Sequence, residues 1–371
     1  MTLLHQPLCR LILISDNRQW RWPIEPMTDP HDLQPLVQEF VDRIRNRRLS
    51  MAVVGDMILD AFVEGTSAGR HPEIGCPVLR EATRQESIGG AANIGVTLAR
   101  LGVDVSCFGV IGSDLGGRQL ISMLDRQPLR HHHVIAKGWP TPRKEWIYEK
   151  KDGASTLVQR IDSDRPLPPD CRHELVGEFR AHCPPRVDIV ILADHGLGAM
   201  AEESLPLIEL ARERQAKIVA IPRTGVLRGR KLDAIVINQA EMRDFFGREA
   251  TEPPPRLAAR YAAQYSQDVF MTMLAEGLTV CPADGRDGTW IPGYPLPFGH
   301  WMGARDMAAA IVAVGIAVGL DVVATGRLAN AFRHLIATQR GNGRVNWRDI
   351  FEFVGLTAQD PPILSAISQQ S

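Results

Sequence analysis

Four short stretches put chemically able residue types at useful spacings. Gly303-Ala-Arg-Asp306 opens an apolar run from Met307 to Leu320. A glycine turn that starts a buried helix points backbone N–H groups outward, and the helix dipole adds to them. Gly303 and Ala304, with Arg305 beside them, would form an anion hole for a phosphoryl group in transfer. Asp306 could then take the proton of an attacking hydroxyl. An Asp in a helix's first turn is also common without any chemistry.

Asn238-Gln-Ala-Glu241 follows a buried apolar run. Asn238 and Glu241 at i, i+3 project to one side and could hold a hydrated Mg²⁺. The same pattern is an N-cap with its capping-box Glu, which local sequence alone favours. In Ser87-Ile-Gly-Gly-Ala-Ala-Asn93, Gly89 and Gly90 allow close backbone approach to a ligand, and Asn93 can bond sugar hydroxyls. Small residues there also suit tight helix–sheet packing. Asp56 and Asp60, in Val53-Val-Gly-Asp-Met-Ile-Leu-Asp60, either grip hydroxyls past a strand end or cap a turn.

The elements that must position these residues alternate. Met51–Val54, Val103–Val110, Val187–Leu192, Lys217–Ile221, Ala234–Ile237 and Asp268–Met273 read as strands. Helices are expected over Gly90–Leu101, Gly116–Leu124, Ala201–Gln215 and Glu241–Phe246, with an earlier one at about residues 31–48. This order predicts a doubly wound α/β sheet with helices on both faces. Segments 61–80 and 145–160 alternate polar with apolar residues, the second with a bend at Lys151-Asp152-Gly153, and predict a small projecting β lid. His131-His132-His133 reads as a solvated turn, because sequence neighbours rarely face one ion together.

Composition narrows the classes further. The chain has 371 residues, 42 Lys+Arg against 43 Asp+Glu, and 44% hydrophobic residues. This near-neutral balance offers no general pull toward nucleic acid or anionic lipid. Six well-separated cysteines without a C-x-x-C pair argue against a zinc ribbon or disulfide scaffold and fit a cytoplasmic protein. The run Met307–Leu320 is shorter than the ~20 residues that span a bilayer, so a core helix is expected.

Taken together, the motifs resemble the ribokinase-like (pfkB) carbohydrate kinase family, and within it the phosphoheptose kinase domains of ADP-heptose synthesis. The resemblance rests on Val53–Asp60, Arg70–Val78, Gly89-Gly-Ala-Ala-Asn-Ile, Arg143-Lys-Glu-Trp, Gln159-Arg-Ile-Asp162, Leu192-Ala-Asp-His-Gly-Leu-Gly198, Asn238-x-x-Glu241 and Gly303-Ala-x-Asp306. It covers roughly residues 50–340. It implies a ribokinase fold of about nine strands, ATP with Mg²⁺, a sugar or sugar-phosphate acceptor, and a homodimer through the β lid. By position it implies Asp306 as base, Gly303 and Ala304 as anion hole, and Asn238 and Glu241 near metal and phosphate. Asp60, Gly89, Gly90, Asn93 and the strand-end Asp194 match the acceptor side, and Gly277 and Asn330 the nucleotide side. Residues 1–50 are then an N-terminal extension, 51–340 the kinase domain and 341–371 a tail. The nucleotidyltransferase region that often follows such a domain is expected to be absent.

The sequence also departs from the family pattern. Where the family has Asp-Thr-x-Gly-Ala-Gly-Asp, this chain has His300-Trp-Met-Gly-Ala-Arg-Asp306. Arg305 either blocks the hole or offers its charge to a phosphate, with blocking favoured. Ile221 replaces an acidic residue, and Leu274 or Ala275 replaces a glycine of the nucleotide loop. Two functions therefore compete: an ATP-dependent kinase of a sugar or sugar phosphate, and a catalytically impaired relative that binds a sugar phosphate or a protein partner.

Overall fold

The computed structural model describes residues 29–151, 154–247, 250–286, 288–296, 300–339 and 345–356. The Trp20–Pro23 segment, the bend residues Asp152 and Gly153 and the end of the chain beyond 356 lie outside the described residues. In chain order the strands are β1 (Ser50–Arg70), β2 (Pro77–Gly90), β3 (Asp104–Gly112), β4 (Arg130–Ala136), β5 (Arg143–Lys151), β6 (Ala154–Ser163), β7 (Ile189–Asp194), β8 (Lys217–Pro222), β9 (Ala234–Asn238), β10 (Asp268–Thr272), β11 (Gly277–Cys281) and β12 (Thr289–Pro292). The helices are α1 (Gln34–Arg45), α2 (Ala91–Arg100), α3 (Leu115–Leu124), α4 (Pro169–His182), α5 (Pro206–Glu213), α6 (Gln239–Phe246), α7 (Pro254–Tyr265), α8 (Ala304–Ala317), α9 (Val322–Thr338) and α10 (Trp347–Phe353).

The main sheet runs β12-β11-β10-β9-β8-β7-β1-β3-β4. It is parallel from β10 to β4, and β11 and β12 are antiparallel. Successive side chains of β1 feed opposite cores. Met51 and Val53 face the side covered by α1, α2, α8 and α9, whereas Ala52 and Val54 face the side covered by α4, α5 and α7. That two-sided burial is why Met51–Val54 is an unbroken apolar run. The apolar run after Asp306 forms α8, buried almost all round in the first core. Among the described residues no helix is long and apolar enough to cross a membrane.

α1 buries Val37, Phe40, Val41 and Ile44 in the same core. The Phe40 ring lies 5.9 Å from that of Trp347 on α10. The elements before residue 50 and after residue 340 thus close one face together.

β1 does not stop at the sheet edge. It continues outward, pairing with β2 from Met57↔Gly90 to Arg70↔Pro77 and with β5 from Leu59↔Arg143 onward. β6 completes this lid. The extended segment expected over 61–80 is interrupted, since β1 ends at Arg70 and β2 begins at Pro77. The His131–His133 segment corrects the sequence expectation of a solvated turn. It lies in β4, the edge strand, registered on β3 through Cys107↔His131 and Gly109↔His133. Its polar residues conceal a strand whose pairing comes from a distant neighbour.

Candidate active site

The carboxyl ends of the parallel strands, the N-terminus of α8 and the inner wall of the lid enclose an open cleft of about 330 Å³. Such crevices are where open α/β sheets bind ligands. Gly303 caps α8 with φ 73°, in the left-handed region that glycine adopts without strain. First-turn N–H groups lack acceptors within their own helix, although that of Ala304 reaches back to the Trp301 carbonyl at 3.3 Å. Gly303, Ala304, Arg305 and Asp306 all line the cleft.

Asp306 is buried, and both its oxygens are held. Oδ1 accepts from His195 Nε2 at 3.0 Å, and Oδ2 accepts from Asn93 Nδ2 at 3.1 Å. Burial alone would raise its pKa. The attraction of His195, the hydrogen bonds from His195 and Asn93, and the charge of Arg305 outweigh it and hold the carboxyl below its usual range. His195 is held in turn by Asp56, whose carboxylate accepts the backbone N–H groups of His195 (2.8 Å), Leu197 (3.1 Å) and Ala199 (2.8 Å). Asp194 is likewise engaged, accepting from Gly196 N–H at 2.9 Å and from Thr224 N–H and Oγ1 at 2.6 and 2.7 Å. Burial pushes its pKa up. Both carboxylates therefore shape the loops after β7 and β8, one step behind the cleft.

Asp60 reaches the cleft from β1, with Trp146 Nε1 donating to its Oδ1 at 3.4 Å. Gly89 explains itself here: a Cβ would lie 2.2 Å from Asp60 Oδ2. At Gly90, which has φ 62°, a Cβ would lie 2.2 Å from the Asp56 carbonyl oxygen. Lys144 stands beside Asp60 at 8% exposure. Burial pushes its ammonium pKa down, Asp60 resists, and Arg160 and Arg223 reinforce the depression. Arg160 covers the Trp146 ring at 4.7 Å. On this wall Lys144, Arg160 and Arg223 face the cleft alongside Asp60, with Arg160 also paired to Asp162 through both carboxylate oxygens at 2.6 and 2.5 Å.

The opposite side is organised differently. Asn238 Oδ1 accepts the Glu241 N–H at 2.8 Å, and Glu241 Oε2 accepts the Asn238 N–H at 3.2 Å, a full capping box on α6. Both Glu241 oxygens also accept from Arg305 Nη1, at 2.7 and 2.8 Å. The resemblance implies Mg²⁺ near this pair, but the donor set does not fit it. The Glu241 carboxylate already neutralises a guanidinium, and the Asn238 amide oxygen is spent on the cap. Gly277 and Asn330 serve Arg333: its guanidinium donates to the Gly277 and Leu274 carbonyls at 2.9 and 2.8 Å and to Asn330 Oδ1 at 3.1 Å. It lies 4.8 Å from the Trp301 ring, and burial pushes its pKa down to about 10. Leu274 has φ 46°, so the residue standing where a loop glycine was expected keeps a glycine-like backbone.

The structure thus brings Asp60, Gly90, Asn238, Gly303, Ala304, Arg305 and Asp306 to one cleft, with Gly89 and Asn93 directly behind. His195, Lys144, Arg160, Arg223 and Arg333 were not anticipated as site residues. Three of them lie in stretches already conspicuous in the sequence, Ala193-Asp-His-Gly, Arg143-Lys-Glu-Trp and Gln159-Arg-Ile-Asp.

A nine-stranded twisted sheet with helices on both faces, a β lid and an aspartate at a glycine-capped helix define a ribokinase-like α/β protein. The chain belongs to the pfkB family of carbohydrate kinases, whose pattern matches residues 48–348. Relatives named bifunctional protein HldE include one from Rhodopseudomonas palustris, 27% identical over 308 residues, and one from Azorhizobium caulinodans, 28% identical over 304. Each match covers 80% of this chain and 62% of the relative, so the chain spans less than two thirds of their length. In fold it is similar to ribokinase from Thermotoga maritima (TM-score 0.63, 17% identity, 83% of this chain and 99% of that one). It is also similar to phosphofructokinase-2 from Escherichia coli with substrates and products (TM-score 0.69, 16% identity, 83% and 99%).

Proposed function

We propose that this protein phosphorylates a hydroxyl of a phosphorylated sugar, with a heptose phosphate as the model acceptor, at the expense of ATP. The observation that carries this reading is Asp306, fixed between His195 and Asn93 at the N-terminus of α8 and facing a cationic acceptor wall. Lys144, Arg160 and Arg223 suit the acceptor's own phosphate, and Asp60 suits its hydroxyls. ATP supplies the phosphoryl group. The N–H groups at the start of α8 would stabilise the negative charge that moves. Asp306 takes the proton of the attacking hydroxyl at Oδ1 or Oδ2. Its lowered pKa makes it a weak base, which this chemistry tolerates: phosphoryl transfer depends mostly on positioning and electrostatics. The test is ADP release in the presence of ATP and a panel of sugar phosphates, with Asp306→Asn as the control. Turnover abolished in that variant supports the kinase. Sugar-phosphate binding with no ADP release from any acceptor overturns it.

A second reading is favoured by one specific observation, the Arg305–Glu241 pair. With Glu241 neutralised by Arg305, the cleft would bind a sugar phosphate without turning it over. Calorimetry with Mg²⁺-ATP separates the two, since no binding at millimolar nucleotide is expected only of this second reading.

We further propose a homodimer through the lid. β6 exposes Leu157, Val158 and Ile161, an apolar group that a second copy would cover. Sedimentation should show a dimer that Leu157→Lys with Ile161→Lys dissociates; a monomeric wild type would discard the idea.

A further inference from the structure

Away from the cleft, β4 carries a cluster that the sugar site does not use. Strand alternation separates its three histidines. His131 and His133 stack together at 5.6 Å, and His131 Nε2 lies 3.1 Å from Asp125 Oδ1. His132 faces the other way, its ring between Phe108 at 5.0 Å and His182 of α4 at 4.7 Å. Glu178 lies one turn before His182 on the same helix, its Oε2 3.1 Å from His182 Nδ1. The donor atoms of His132, Glu178 and His182 all lie within 4.8 Å of one another.

Two imidazoles and a carboxylate suit a borderline divalent ion such as Zn²⁺, which takes nitrogen at about 2.0–2.1 Å and oxygen at about 2.0–2.2 Å. Neighbouring donors on such a tetrahedral ion lie about 3.4 Å apart. The gap closes by side-chain rotation. His182, whose side chain is 46% exposed, has room to turn its ring out of the stack, and its contact with Glu178 would then be exchanged for the ion. Glu178 and His182 at i, i+4 share one helical face, which holds two donors in register. His132 comes from a paired strand. Glu178 and His182 border solvent, which offers an entry path and a water for the fourth position.

We propose that His132, Glu178 and His182 form a Zn²⁺-type site that staples α4 to the edge strand of the sheet. None of the three lines the cleft, so the site is structural and separate from the sugar chemistry. Ion binding to the folded chain alone stabilises it by mass action.

The test is calorimetric titration of Zn²⁺ into the full chain carrying Cys76→Ser, which removes an exposed thiol. Co²⁺ absorption reports four-coordinate geometry in parallel. His182→Ala, at an exposed position that leaves the core packed, should weaken one site by at least about 10–100-fold, the loss seen even for outer-shell partners. Glu178→Gln should do the same, while His131→Ala with His133→Ala should leave that site intact. Unchanged zinc stoichiometry and affinity in His182→Ala, with native circular dichroism, would overturn the proposal. So would loss of the site in the His131/His133 pair variant.

Discussion

The two walls of the cleft solve their electrostatics in opposite ways. On the wall that carries Asp60, Lys144 is buried against its own preference, its ammonium pKa pushed down by burial and by Arg160 and Arg223. On the other wall Arg305 and Glu241 cancel each other. Of the cations on the first wall only Lys144 is buried, Arg160 being paired with Asp162 at the surface. A buried cation of this kind favours a ligand of the opposite sign, because desolvated charge is costly until paired. A neutralised wall has no such demand. The contrast teaches that an anionic ligand is better served by the wall of Lys144 than by the wall where Arg305 occupies Glu241.

Breaking the centre of the cleft should have the largest effect. Asp306→Asn is expected to lower any phosphoryl transfer by about 10²–10⁴-fold, the usual worth of a general base, while sugar-phosphate affinity stays near wild type. Arg305→Gly should sharpen the contrast by releasing Glu241 and freeing space before α8. Mg²⁺-ATP affinity measured by calorimetry is expected to rise about tenfold, or about 1.4 kcal/mol. A fall would mean that Arg305 contacts phosphate directly. Lys144→Met should weaken sugar-phosphate binding yet raise the melting temperature, since it removes a poorly solvated cation.

The pH dependence of Lys144 has a definite sign. Its native pKa lies below the unfolded value, so its cost is fully present below the native pKa. Stability rises as the pH climbs from the native toward the unfolded value. The stability gap between Lys144→Met and wild type should therefore narrow on that alkaline limb. The smallest effect is expected from Leu274→Gly. It relieves a left-handed backbone at an exposed leucine, a strain of about 1 kcal/mol or somewhat more, partly offset by glycine's unfolded-state entropy.

How much was legible follows from range. The apolar run behind Asp306 announced α8, because burial all round leaves no polar positions to interrupt it. The capping pattern of Asn238 and Glu241 was also readable, since it closes within one helical turn. His195 was not, although its stretch stood out. Its role needs a contact with Asp306 across more than a hundred residues, and a backbone clamp from Asp56 on another strand. Arg305's partner was hidden for the same reason. The turn expected at His131–His133 failed because three polar residues look solvated until β3 supplies a register.

β1 belongs to both sheets without a break. Asp56 and Asp60 sit on that one strand, the first clamping the loop of His195 and the second facing the cleft. The lid is therefore built as a cantilever from the main sheet, with irregular pairing at Glu64/Gly65 and Ser67/Arg70 along its length. A load on its inner wall would pass along β1 to its root, where Asp56 clamps the loop that carries His195 to Asp306.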